Sequence, residues 1–236
     1  MTGKEINNQL LAYWEPMFEK EGFKLKSKKY TFDNPPVFQK KIESANFSYI
    51  IRFLKYGKIE PHFKITFDET DALYAKLIGD DSQQWAIFYF NLLYYINPEN
   101  QNDIYESIVS FDSPHRDDII SGKNLEQSAK VIFEILFKQP IPRIIERIGS
   151  LQKADEILNK KPVELIEGEI EPRWLTYCGN IILQAFSGIL VAKATKRTNF
   201  NEVLEHYISF FNQFEDREYD EVDLIRNNLT SLKEGM

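Results

Sequence analysis

Near the start of the chain, Ile6, Leu10, Tyr13, Trp14, Met17 and Phe18 recur every three or four residues. That period predicts a helix over Lys4–Glu21, ended by Gly22 in the position glycine favours after a helix. Pro16 falls inside it and predicts a kink or a split near Trp14. The period then shortens to two. Phe23–Asp33, Val37–Ala45, Phe47–Tyr56 and Lys58–Asp68 alternate apolar and polar residues and are separated by Asn34-Pro35-Pro36, Asn46 and Gly57. Breaks this short predict consecutive hairpins and hence an antiparallel meander. Phe47, Tyr49, Ile51 and Phe53 share one side, as do Phe63, Ile65 and Phe67, and these are the expected core sides. The opposite side carries Arg52, Tyr56, His62, Lys64 and Thr66.

Asp68 or Thr70 is placed to cap a short helix through Leu77, followed by a turn at Gly79-Asp80-Asp81. Trp85–Ile96 is apolar at both parities, and its aromatic content favours a strand over a helix. Ile104–Asp112 is a further, shorter strand candidate. The rest reads as helical. Asn124 with Gln127 resembles a capping box ahead of Leu125, Ala129, Ile132, Phe133 and Leu136. Pro140 and Pro142 end that helix, and Pro142 suits the first position of the next. Helices are expected at Ser150–Asn159, from Pro172 to about Thr195, after the Asn199/Glu202 pair with the stripe Phe200–Phe214, and from Asp220 through Leu232. Strands therefore come first and helices afterwards. The expectation is an α+β fold with an N-terminal antiparallel meander of four to six strands and a mainly helical C-terminal half packed on it. One domain over 1–236 is expected, with sub-regions 1–118 and 119–236.

Composition changes this picture little. With 43% hydrophobic, 28% charged and 14% aromatic residues among 236, the chain has ordinary globular character and is not disordered. A net charge of −7 argues against a general binder of nucleic acid or anionic membrane, which needs a basic face. The charge is uneven. Glu19–Lys41 holds seven lysines against three acids, whereas Glu215–Asp223 holds six acids and one arginine. Trp174–Ala192 runs for 19 residues without a charge, yet Thr176, Asn180, Gln184, Ser187, Gly179 and Gly188 interrupt it. It reads as a buried central helix rather than a membrane span. Cys178 is the single cysteine, so no intrachain disulfide forms, and the start has no signal-peptide pattern. Both point to the cytoplasm.

Candidate chemistry is sparse. There is no dinucleotide fingerprint, no P-loop, no nucleophile elbow and no zincin motif. Three histidines and one cysteine give soft-metal and Cys–His catalysis almost no material. No catalytic residue, no metal ligand and no cofactor is assigned. Two polar sets remain as candidate ligand sites. Arg52, Tyr56, His62 and Lys64 project from the non-core side of the meander and could grip a carboxylate or phosphate, although a solvated or helix-covered sheet face is the simpler reading. His115 lies in Asp112-Ser113-Pro114-His115-Arg116-Asp117-Asp118, which also reads as a turn before a helix. Glu164, Glu167, Glu169 and Glu171 lack the fixed spacing of a calcium loop.

Glu21-Gly22-Phe23-Lys24-Leu25, Ile59-Glu60-Pro61-His62-Phe63-Lys64-Ile65, Gln139-Pro140-Ile141-Pro142 and Gly188-Ile189-Leu190-Val191-Ala192-Lys193 before Asn199-Phe200-Asn201-Glu202 resemble uncharacterised bacterial families of unknown function. The resemblance implies an α+β protein of the immunity or accessory kind and carries no catalytic residues. The leading expectation is a non-enzymatic module that binds another protein. The alternatives are a small-anion or small-ligand binder or enzyme using the polar sheet face or the His115 loop, and a homodimer formed through an uncovered helix.

Overall fold

The computed structural model describes residues 2–26, 31, 34–53, 59–82, 84–92, 121–160, 181–212, 220–228 and 232–233. Five strands, β1 (Lys24–Leu25), β2 (Val37–Ile42), β3 (Ala45–Phe53), β4 (Ile59–Phe67) and β5 (Phe88–Asn91), form one antiparallel sheet in the order β1-β2-β3-β4-β5. The helices are α1 (Gly3–Lys20), α2 (Asp68–Ile78), α3 (Leu125–Phe133), α4 (Pro140–Ile148), α5 (Leu151–Asn159), α6 (Ile181–Ala194), α7 (Phe200–Phe211) and α8 (Asp220–Asn227), with a π-helical turn at Glu134–Lys138. The class is α+β, and sequential neighbours in the sheet make it the expected meander.

Local chemistry explains where these elements depart from the expected bounds. Helix α1 continues unbroken through Pro16. The carbonyl that proline leaves without a donor belongs to Ala12, and both residues lie on the exposed face, where water can replace the lost bond. Thr2 and Glu5 form a reciprocal capping box at its start. The first strand is only two residues long. The turn between β2 and β3 falls at Glu43-Ser44, not at Asn46. Glu43 takes a left-handed φ of 52°, and starting β3 earlier places Ala45 on the buried side with Phe47, Tyr49 and Ile51. Neither Asp68 nor Thr70 caps α2. Phe67 occupies that position without a side-chain bond, and the Thr70 hydroxyl donates back to the Phe67 carbonyl at 2.9 Å. Asp68, Glu69 and Asp71 instead place three carboxylates in the first turn, complementing the helix dipole.

In the helical half, Asn124 precedes α3 with a left-handed φ of 51° and no side-chain cap, so the Asn124/Gln127 box does not form. Asn199 likewise makes no capping bond, because its side-chain oxygen accepts from Arg197 Nε at 2.8 Å. Ser150 does cap α5, accepting from the Lys153 amide at 3.3 Å. Helix α4 begins at Pro140 rather than Pro142. Both prolines then sit in a first turn, where an amide hydrogen would have no intrahelical partner. The strand candidate Ile104–Asp112 and the start of the long helix at Pro172 lie outside the described residues.

The chain divides into two compact units. One comprises Met1–Lys41, Phe47–Lys64 and Phe90–Glu146, and the other Ile42–Asn46, Ile65–Tyr89 and Arg147–Met236. The first has an aromatic core centred on Phe18 of α1. Its ring stacks on Phe38 at 4.0 Å and meets Phe137, Phe133 and Tyr49 at 4.6, 5.0 and 5.0 Å. Such ring pairs contribute about 0.5–1.5 kcal/mol each beyond area burial. The Trp14 indole N–H donates to the Ala129 carbonyl at 2.9 Å, and the Tyr49 hydroxyl to the Leu136 carbonyl at 3.2 Å.

The second unit is built around α6. From Ala185 to Ala192 every side chain is fully buried or the residue is Gly188, and α2, α5, α7 and α8 pack against it. The small and polar residues that interrupt its apolar run are contact points. Ser187 accepts from the Trp85 indole at 2.9 Å, and the Gly188 carbonyl accepts from the Asn159 amide at 3.0 Å. No helix among the described residues is long and apolar enough to cross a membrane.

Candidate functional site

Strands β3 and β4 position the polar set that the alternation singles out. In β4, Phe63, Ile65 and Phe67 alternate on one side and are all buried. Glu60, His62, Lys64 and Thr66 therefore take the other side. That side is not solvated along β4, since His62 is only 5% exposed and Thr66 only 2%. It opens toward solvent at Arg52, whose side chain is half exposed.

Glu60 links the set. Its Oε2 lies 3.0 Å from His62 Nε2 and 3.8 Å from Arg52 Nη1. Burial is the main influence on His62 and holds its imidazole below the ordinary value of 6.5. Glu60 pulls the other way, and the Arg52 charge adds to the lowering. Burial thus disfavours the charged imidazole, and Glu60 is the carboxylate beside it. Glu60 occupies the place that an anionic ligand would take, and one carboxylate balances one guanidinium. Lys64 shares the face by alternation and is half-buried. Tyr56 and His115 lie outside the described residues.

The arrangement brings Arg52 and His62 together through Glu60, a residue that belongs to no motif. Glu60 shares its parity with His62 and Lys64 in Ile59-Glu60-Pro61-His62-Phe63-Lys64-Ile65, so a search for carboxylates two residues from a strand histidine would find it. Chemically the trio can orient an imidazole and hold it neutral, but it offers no unbalanced charge to a substrate. Among the described residues no group of three or more His, Cys, Asp or Glu side chains is placed to hold a metal ion.

An apolar recess lined by Trp14, Phe18, Tyr49, Ile51, Ile59 and Phe133 has room for little more than a water molecule. Its polar neighbours, the Trp14 N–H and the Tyr49 hydroxyl, are already committed to carbonyls. In the second unit, Asp155 accepts from Arg197 and from Asn159 at 2.8 Å each. The Tyr207 hydroxyl lies 3.0 Å from the Leu158 carbonyl and 3.1 Å from Asn159 Oδ1. This network joins α5 to α6 and α7 and so fastens helices together. Composition alone did not single it out, because Asp155, Asn159 and Arg197 form no motif and meet only in three dimensions. No protein-family model, curated protein or solved structure matches the chain.

Proposed function

We propose that the protein is a non-enzymatic module that binds another protein, of the immunity or accessory kind. The observation that carries this reading is the distribution of charge. Among the described residues of the sheet, Glu60 faces both Arg52 and His62 and balances the Arg52 guanidinium. Exposed lysines instead lie at the end of α1 and along β1, at Lys20, Lys24 and Lys26, on a chain with net charge −7. Exposed lysines on a surface suit a macromolecular partner better than a small molecule, which binds in a concave pocket. The single cysteine supports a cytoplasmic setting for the same reading. Affinity isolation of the tagged protein from its own host tests it. The reading expects one stoichiometric protein partner that is lost when the exposed lysines are reversed in charge. Recovery of the chain alone, or only with further copies of itself, would overturn it.

The half-exposed Arg52 guanidinium supports a second reading, a small-anion site in which the ligand displaces Glu60. Glu60→Gln would then tighten binding of inorganic phosphate, because the competing carboxylate is gone. Phosphate binding that is absent in both forms, measured by calorimetry, rejects this alternative.

A further inference from the structure

The lysine excess of the Glu19–Lys41 segment has a definite place in the fold. Strand β1 pairs with β2 so that Lys24 lies opposite Gln39 and Leu25 opposite Phe38. The Lys26 amide continues the ladder, donating to the Val37 carbonyl at 2.9 Å. Alternation then puts Lys24, Lys26, Gln39 and Lys41 on one face, and all four are exposed. Gln39 reaches across that face to the Ser48 hydroxyl at 3.2 Å. Leu25 and the fully buried Phe38 lie on the other. Lys40 does not belong to the exposed set, because its ammonium donates to the Glu21 carbonyl at 2.8 Å and sits 5.6 Å from the Phe23 ring centre.

Strand β1 is also the outermost strand, with no strand paired on its far side among the described residues. In an antiparallel ladder successive residues turn their amide and carbonyl groups to opposite edges. The Lys26 amide points inward to β2, so the Leu25 amide and carbonyl point outward. Among the described residues the edge therefore combines an open place in the main-chain ladder at Leu25 with lysines at alternate positions.

We propose that this edge takes up an acidic, extended segment of a partner protein as an added strand beside β1. The proposal rests on the protein-binding reading above and names the chemistry of the partner. Alternate residues of a strand repeat at about 6.7 Å, so carboxylates two residues apart match Lys24 and Lys26. Cross-strand pairs of opposite charge are favourable and like charges are not. Lysines on an edge thus repel a second copy of the same edge while admitting an acidic strand. The intervening residues of the segment fall on the Leu25 side, where apolar side chains fit. A nucleic acid or an anionic bilayer supplies phosphates but no amide ladder, so main-chain pairing at Leu25 separates the proposal from simple charge attraction.

The probe is a fluorescein-labelled peptide of about ten alternating Glu and Val residues, long enough to span a strand, titrated into the full chain. A peptide of equal charge with Pro in place of Val has no amide donor at alternate positions. A single-stranded oligonucleotide and phosphatidylserine vesicles serve as the competing polyanions. The proposal expects saturable binding of the Glu-Val peptide, slowed hydrogen exchange at the Leu25 amide, and affinity about tenfold weaker in Lys24→Glu/Lys26→Glu. Both substituted positions are exposed, and circular dichroism confirms that the variant is folded. Absence of binding overturns the proposal, as does equal binding of the proline peptide or tighter binding of the oligonucleotide or vesicles. If a host partner is isolated but binds the Lys24→Glu/Lys26→Glu variant unchanged, this edge is excluded while the protein-binding reading stands. If no partner is isolated, the broader reading falls.

Discussion

Replacing Gly188 by alanine isolates the contact that fixes the centre of the second unit. Gly188 lies in α6, a helix in which alanine is intrinsically favoured over glycine by about 1 kcal/mol. On propensity alone Gly188→Ala would stabilise the protein. The added Cβ, however, would stand 2.5 Å from the Tyr207 hydroxyl, 2.9 Å from its ring carbon and 3.0 Å from Asn159 Oδ1. Tyr207 is fully buried and its hydroxyl is anchored at the Leu158 carbonyl, so it has no room to retreat. Overpacking a rigid site costs about 1–3 kcal/mol. Pushing the hydroxyl off its acceptors adds about 1–3 kcal/mol for buried groups left unpaired. Set against the propensity gain, the net expectation is a loss of about 1–5 kcal/mol, on the order of 10 °C in midpoint for a chain of this length. Tyr207→Phe alone should cost about 1–2 kcal/mol. Combined with it, Gly188→Ala should become cheaper by about 1–2 kcal/mol, because the nearest clashing atom is gone. Urea denaturation of the four proteins, followed by circular dichroism, measures both quantities. A Gly188→Ala variant as stable as the parent or more so would refute the reasoning, as would strict additivity with Tyr207→Phe.

Phe18→Ala should cost about 3–5 kcal/mol, since it empties the centre of the aromatic cluster in the first unit; denaturation that shifts by less than half of this would mean the cluster is loosely packed. Ser150→Ala should cost about 1 kcal/mol by removing the cap of α5, and Ser150→Gly only a few tenths; a Ser150→Ala variant as stable as the parent would show that the hydroxyl contributes nothing. In the unfolded chain His62 takes up a proton as the pH falls through 6.5, whereas in the native protein burial keeps it neutral to lower pH. The unfolded state then binds more protons, so the stabilisation present above that value is lost as the pH falls below it. His62→Leu should flatten this part of the stability profile, and a variant with the parent's slope between about pH 7 and pH 5 would contradict the assignment.

The sequence pattern carried the sheet because period-two alternation reports burial directly. Phe47, Tyr49, Ile51, Phe63, Ile65 and Phe67 all lie on the buried side expected of them. The alternation fixed faces better than ends. The Glu43-Ser44 turn was hidden because glutamate is an unusual residue at positive φ, while Asn46 is a more familiar turn former that here donates to Asp68 at 2.8 Å. Caps follow residue identity least closely. Asn124 and Asn199 have the right identities, but backbone conformation in one case and competition from Arg197 in the other remove the bond. The apolar α6 was legible as a buried helix from its Ser and Gly interruptions, although their partners Trp85, Tyr207 and Asn159 are distant in sequence. Of the candidate site, Arg52 and His62 were legible as side chains on one face. Their mediator was not, because Glu60 reads as one more exposed acid until the burial of His62 gives its carboxylate a role.

The account stands or falls on whether this chain works with a different protein. Native mass spectrometry of the tagged protein, isolated at low expression from its own host, measures this directly. The account predicts a species heavier than the 27.8 kDa chain by the mass of one other polypeptide, reverting to the single chain in Lys24→Glu/Lys26→Glu. Only the single chain, or only integer multiples of it, would contradict the account.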